Sequence, residues 1–177
     1  MYANSRAMPA VVGALLLLAP SWAVAQESAT AEEVIQKTRE AAEYLAKNKE
    51  SGIETFKTMK SPFVWKSDGY VFVFDCSAGK YLANPHRPEA SGTKLAEITD
   101  DPGMLFGKRF CDMAGLTKGG WVEYRLTKPG KHSVLRKVGY VRSVEGTSYQ
   151  VGSGIYDDAA KIEDLQKLSD AKYTVAP

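Results

Sequence analysis

The chain has 177 residues, with 23 Lys and Arg against 21 Asp and Glu, a formal net charge of +2. A balance this close to neutral, with the basic residues scattered, leaves no electrostatic footprint for nucleic acid, and the length suits one domain with its own core. His86 and His132 are the only histidines, and neither sits in a Cys-x-x-Cys-His or His-Glu-x-x-His pattern, so no metal or other cofactor is expected.

Residues 1–25 have the order of a secretory signal. Arg6 precedes an apolar run from Val11 to Ala19, Pro20 breaks it, and Ala23-Val24-Ala25 stands before Gln26. The run is too short and too interrupted to span a bilayer. Cleavage after Ala25 is therefore expected, leaving residues 26–177 as a single periplasmic or secreted domain. The lost segment carries one arginine and no acid, so net charge falls by one. No later stretch approaches spanning length, and no stable membrane insertion is expected.

From about Ala29 to Met59 the spacing predicts a long amphipathic helix. Thr30 is the N-cap, and Glu33 completes a capping box. Val34, Thr38, Ala41 or Ala42, Leu45, Ile53, Phe56 and Met59 form the apolar stripe, with Gly52 marking a kink or a break into two helices. The stripe fits the protein's own sheet; a homodimer seam through this helix is the other use it allows. Ser61-Pro62 ends the helix and Ser67-Asp68-Gly69 turns the chain. Tyr70–Phe74 is β-branched or aromatic on both parities, the mark of a strand covered on both faces. A turn with Gly79 in its left-handed position leads to a short strand at Tyr81–Ala83. A Pro- and Gly-rich connection follows, then a short helix over Pro102–Ala114 interrupted at Gly107.

Gly119-Gly120 opens a strand with Trp121, Glu123 and Arg125 on one face and Val122, Tyr124 and Leu126 on the other. Turns at 128–131 and 145–147 then frame strands at Ser133–Ser143 and Tyr149–Ile155. A closing helix, about Ala159–Leu168, turns Ile162, Leu165 and Leu168 inward. These elements make an α+β domain: an antiparallel five-stranded sheet, core about 68–156, with a long N-terminal and a short C-terminal helix. Cys76 and Cys111, an even pair in an exported chain, read as a disulfide, with two buried thiols as the alternative. No Gly-x-Ser-x-Gly elbow or base–nucleophile neighbourhood occurs, so catalysis is not expected.

An ordered set of segments carries a resemblance. It runs Asp68-Gly69-Tyr70-Val71-Phe72-Val73-Phe74-Asp75, Leu82-Ala83-Asn84-Pro85, Gly92-x-Lys94-Leu95, Asp101-Pro102-Gly103 and Gly119-Gly120-Trp121-Val122-x-Tyr124. It continues through Pro129 and Lys137-x-x-Tyr140-Val141 to Gly152-Ser153-Gly154-Ile155-Tyr156. This set resembles the single Cache domain family, small Cache type 2, the extracytoplasmic sensing module of many chemoreceptors and histidine kinases. The resemblance implies a PAS-like sheet with a ligand pocket between it and loops 84–120, taking a small organic acid such as acetate, propionate or pyruvate. It also implies a membrane-bound receptor or histidine kinase as partner, since the chain ends at Pro177 like a stand-alone periplasmic form. Asn84 departs from the pattern, replacing the His that many members carry before this proline.

The candidate ligand-binding residues are Lys137, Tyr140, Trp121, Tyr124, Asn84 and Phe72. Lys137 lies mid-strand on an apolar parity, where a buried ammonium needs a counter-charge. A ligand carboxylate would supply one; Glu123 is the structural alternative. Tyr140, three residues on, faces the other way unless Gly139 forms a bulge. Trp121 and Tyr124 have opposite parity, so at most one lines the pocket. Asn84 is held extended by Pro85. Gly152-Ser153-Gly154 reads as close backbone packing rather than a phosphate loop, and His86 and His132 as solvated turn residues.

Overall fold

The computed structural model describes residues 27–100 and 103–173; the expected leader, residues 1–25, lies outside them. Helix α1 (Ala31–Asn48) starts as its capping box dictates: the Thr30 hydroxyl accepts from the Glu33 N–H, and the Glu33 carboxylate accepts from the Thr30 N–H. Val34, Ile35, Thr38, Ala41, Ala42 and Leu45 are buried along one stripe. The break comes before Gly52. Lys49 takes a φ of 51°, and the chain continues as a 3-10 helix to Lys57. Gly52 instead marks a close approach, where a Cβ would lie 2.9 Å from that of Asn48. Ile53 and Phe56 stay buried, but Met59 leaves the expected stripe and is exposed.

The chain then makes a small hairpin, β1 (Val64–Trp65) with β2 (Gly69–Tyr70), and enters the main sheet at β3 (Phe72–Asp75). Next come β4 (Lys80–Ala83), α2 (Gly107–Ala114), β5 (Gly120–Thr127), β6 (Val134–Ser143), β7 (Tyr149–Tyr156) and α3 (Ile162–Tyr173). The expected helix over 102–114 begins only at Gly107, whose lack of a side chain lets it touch the Leu95 carbonyl. The closing helix starts later than expected and runs further. The sheet order is β4-β3-β7-β6-β5, antiparallel throughout. Gly79, at φ 64°, turns β3 into β4.

Alternation along the strands gives the sheet two buried faces. On one, Val73, Val151, Val138, Ile155, Trp121 and Tyr140 pack with the stripes of α1 and α3. On the other, Phe72, Phe74, Tyr81, Val122, Tyr124 and Val141 pack beneath Leu95, Phe106 and Phe110. A disulfide joins Cys76, just past β3, to Cys111 in α2. It pins the layer that covers the second face. Among the described residues no helix is long and apolar enough to cross a membrane.

Candidate ligand-binding site

The second face of the sheet is built in rows. Strand β6 keeps an unbroken register with β5 and β7 from Lys137 to Val141. Gly139 therefore forms no bulge, and Lys137 and Tyr140 point to opposite faces. Tyr140 belongs to the helix side, where its hydroxyl donates to the Lys118 carbonyl. Trp121 lies beside it, ring centroids 5.2 Å apart, and its Nε1 donates to Ser169 Oγ. Neither reaches the cavity, which removes both from the candidate ligand set.

Facing the cavity side, Tyr124, Lys137 and Tyr156 form one row across three strands, and Val122, Gly139 and Gly154 the next. A third row runs Gly120, Val141, Gly152, Phe72. Two of the glycines are seats for large side chains: a Cβ on Gly139 would lie 3.1 Å from the Tyr124 ring and one on Gly152 2.5 Å from the Phe72 ring. Gly154 is a close backbone approach, where a Cβ would lie 2.6 Å from the Val138 carbonyl oxygen and 3.0 Å from Lys137 Cε.

Above this floor is a cavity of about 280 Å³, lined by Phe72, Phe106, Phe110 and Tyr124 on its aromatic side. Tyr70, Tyr81, Asn84, Arg87, Thr93 and Thr99 supply polar atoms around it. Phe106 stacks on Tyr124 at 4.6 Å and Phe72 on Phe110 at 5.3 Å, so the walls hold one another. Of the six candidates, Phe72, Tyr124 and Asn84 line this cavity. Asn84 is buried, and its amide is engaged at home: Oδ1 accepts from the N–H groups of His86 and Arg87, and Nδ2 donates to the Tyr81 hydroxyl. It shapes the turn at the cavity's edge. Burial holds the phenols of Tyr81 and Tyr124 well above their ordinary range, so both are neutral hydrogen-bonding groups.

Lys137 is fully buried beneath the Tyr70 wall. Its Nζ donates to the Tyr70 hydroxyl at 2.8 Å and lies 4.0 Å from the Tyr70 ring centroid and 4.8 Å from that of Tyr156. Two electron-rich ring faces offset part of the cost of burying the charge. Glu123 is not its partner: that carboxylate pairs with Arg136 at 3.0 Å. No carboxylate pairs with Lys137 among the described residues. His86 departs from the solvated expectation as well. Its ring packs 4.8 Å from that of Tyr70, and burial, aided by Lys137, lowers its pKa and favours the neutral imidazole.

Sequence reasoning missed Tyr70 and Tyr156 as parts of the site, though a signal was present. Tyr70 shares the parity of Phe72, and Tyr156 that of Gly154, so the period-two rule puts both on the cavity face. Arg87, Thr93, Thr99 and Phe106 lie in loop 84–106, which carries no periodicity to read.

The sequence matches the family described as Single Cache domain 2 over residues 21–169. The chain belongs to that family. Its Cache domain is 28% identical over 104 residues to the methyl-accepting chemotaxis protein McpP of Pseudomonas putida, and 29% identical over 93 residues to the sensor histidine kinase MctS of Rhizobium johnstonii. Those matches cover 59% and 51% of this chain but 19% of each relative. The chain thus spans about a fifth of the curated relatives it matches. The Cache fold also recurs in solved structures. A methyl-accepting chemotaxis protein from Vibrio parahaemolyticus superposes with a TM-score of 0.57 at 24% identity, over 72% of this chain and 88% of that one. A Cache chemosensory domain solved for carboxylic acid recognition gives 0.59 at 19% identity, over 72% and 93%.

Proposed function

We propose that this Cache domain is a non-catalytic, extracytoplasmic sensor module that binds a small organic acid and reports it through a membrane-bound receptor or histidine kinase. The observation that carries the reading is Lys137. A fully buried ammonium, with no carboxylate beside it among the described residues, is costly unless something supplies the missing charge. Tyr70 lies between that ammonium and the cavity, accepting the hydrogen bond from Nζ. A phenol that accepts from an ammonium becomes a stronger donor itself. A carboxylate entering the cavity meets a hydroxyl backed by a full positive charge, within apolar walls that strengthen the attraction. The cavity, near 280 Å³, suits an acid of few carbons, and its presence over the sheet favours a ligand over a purely structural or assembly role. The disulfide supports an oxidising, periplasmic setting. Pairing of two copies through the N-terminal helix belongs to the same proposal, although its apolar stripe is taken up by the protein's own sheet.

The test is thermal unfolding with acetate, propionate and pyruvate in turn. At about 100 times its dissociation constant a bound acid adds roughly 2.7 kcal/mol, and each kcal/mol is worth about 2–4 °C at this size. Lys137→Met keeps an unbranched stem and removes the charge. It is expected to abolish the shift while the ligand-free protein melts within a few degrees of wild type. A shift that survives in Lys137→Met would overturn the assignment.

A further inference from the structure

Beside the cavity, sharing Tyr70, Arg87 and Leu126 with it, lies a second cleft of about 380 Å³. It runs between the 84–87 turn and the β5–β6 hairpin, and its lining differs in charge from the inner cavity. The inner cavity includes Glu89 and Glu97; the outer cleft includes His86, Arg87, Lys128 and Lys131 and, among the described residues, no acid. Some of that charge is already matched. Lys128 pairs with Asp68 at 2.6 Å, and Arg87 with Glu89 at 3.5 Å. The Lys131 ammonium has no acidic partner, and the ring nitrogens of His86 carry no hydrogen bond, among the described residues. The hairpin holds the two lysines in place: the Lys131 N–H donates to the Lys128 carbonyl, and Gly130 at φ 70° closes the turn. Tyr70, which lines both cavity and cleft, also accepts the hydrogen bond of the Lys137 ammonium.

We infer that this outer cleft is a second anion subsite, and that the ligand it serves is a short-chain dicarboxylate. One carboxylate occupies the inner cavity at Tyr70; the other leaves it past Arg87 and is received by Lys131 and His86. The inference rests on the acid-binding reading above and deepens it by naming the class of acid. An unmatched ammonium at a cleft whose described lining holds no acid attracts anions, and the residues shared with the acid-binding cavity make a second carboxylate on the same molecule the fitting occupant.

Calorimetric titration of the full chain with propionate, succinate and glutarate tests it, in the wild type and in Lys131→Glu. Lys131 is exposed and lines only the outer cleft, so its reversal spares the fold and the inner cavity. The expected result is that succinate or glutarate binds at least tenfold more tightly than propionate. Lys131→Glu removes that advantage and leaves propionate within about twofold of wild type. If propionate binds but neither diacid binds better, or if Lys131→Glu weakens all three alike, the outer subsite is wrong and the acid-binding reading stands. If sulfate, titrated in parallel, binds with the same dependence on Lys131 while the diacids gain nothing over propionate, the cleft holds independent ions and the dicarboxylate is wrong. If none of the three acids binds, both readings fall together.

Discussion

Asp68 joins three segments that lie far apart in sequence. Its Oδ1 accepts from the Ala29 N–H at 2.7 Å, just before α1, and its Oδ2 meets Lys128 Nζ in the β5–β6 turn. Burial by itself would raise its pKa, but Lys128, the Ala29 N–H and Ser28 together hold the carboxyl below the ordinary value near 3.8. A depressed carboxyl stabilises the fold at pH values above that ordinary one, and the stabilisation is lost as pH falls through the folded value. Asp68→Asn is expected to cost about 2 kcal/mol at pH 7, the size of a charge-assisted bond whose lysine still reaches water. Urea unfolding at pH 7 and pH 3 checks this: the gap between wild type and variant must narrow at the acid end. Lys137, the other informative residue, was legible in the sequence because period two puts its ammonium on an apolar parity. Its surroundings were not. Tyr70 is 67 residues away, and nothing local announces that a phenol rather than Glu123 will meet it.

The strands were legible as elements, and their parity sorted side chains correctly wherever the register stayed regular. Trp121 and Tyr124 fall on opposite faces for that reason, as do Lys137 and Tyr140. What parity could not supply was the purpose of the glycines. Gly139 looked like a place for a bulge, and it is a seat for the Tyr124 ring. Gly152 makes the same point in testable form. A methyl there would sit 2.5 Å from the Phe72 ring, which lines the cavity. Gly152→Ala must push that ring toward the cavity, at a cost of about 1–3 kcal/mol. A lower melting temperature is expected, and a smaller shift with whichever acid stabilises the wild type. An unchanged acid response would mean that the ring moves elsewhere. The loop over 84–106 was the least legible part. Its shape comes from single contacts, such as the Asn84 side chain accepting two backbone N–H groups, which leave no repeating pattern.

At the scale of the whole molecule, the sheet is held between two helices and a covering layer that the Cys76–Cys111 bond fastens down. Replacing both cysteines by serine is expected to cost about 3–4 kcal/mol on the chain-entropy account, read as a lower urea midpoint that reducing agent reproduces in the wild type. The strand order carries a separate consequence. β3 is among the first strands made, yet it lies second from the edge and draws one of its two partners from the last strand, β7. Until Tyr149–Tyr156 arrives, the chain has two separate hairpins, β3–β4 and β5–β6, each with an open edge where β7 belongs. Isolated hairpins are marginal in water, and pairings across long stretches of chain are slow to form. Assembly of the sheet therefore waits on the final strand, and a chain interrupted before residue 149 offers two unsatisfied edges of the kind that join to other chains instead.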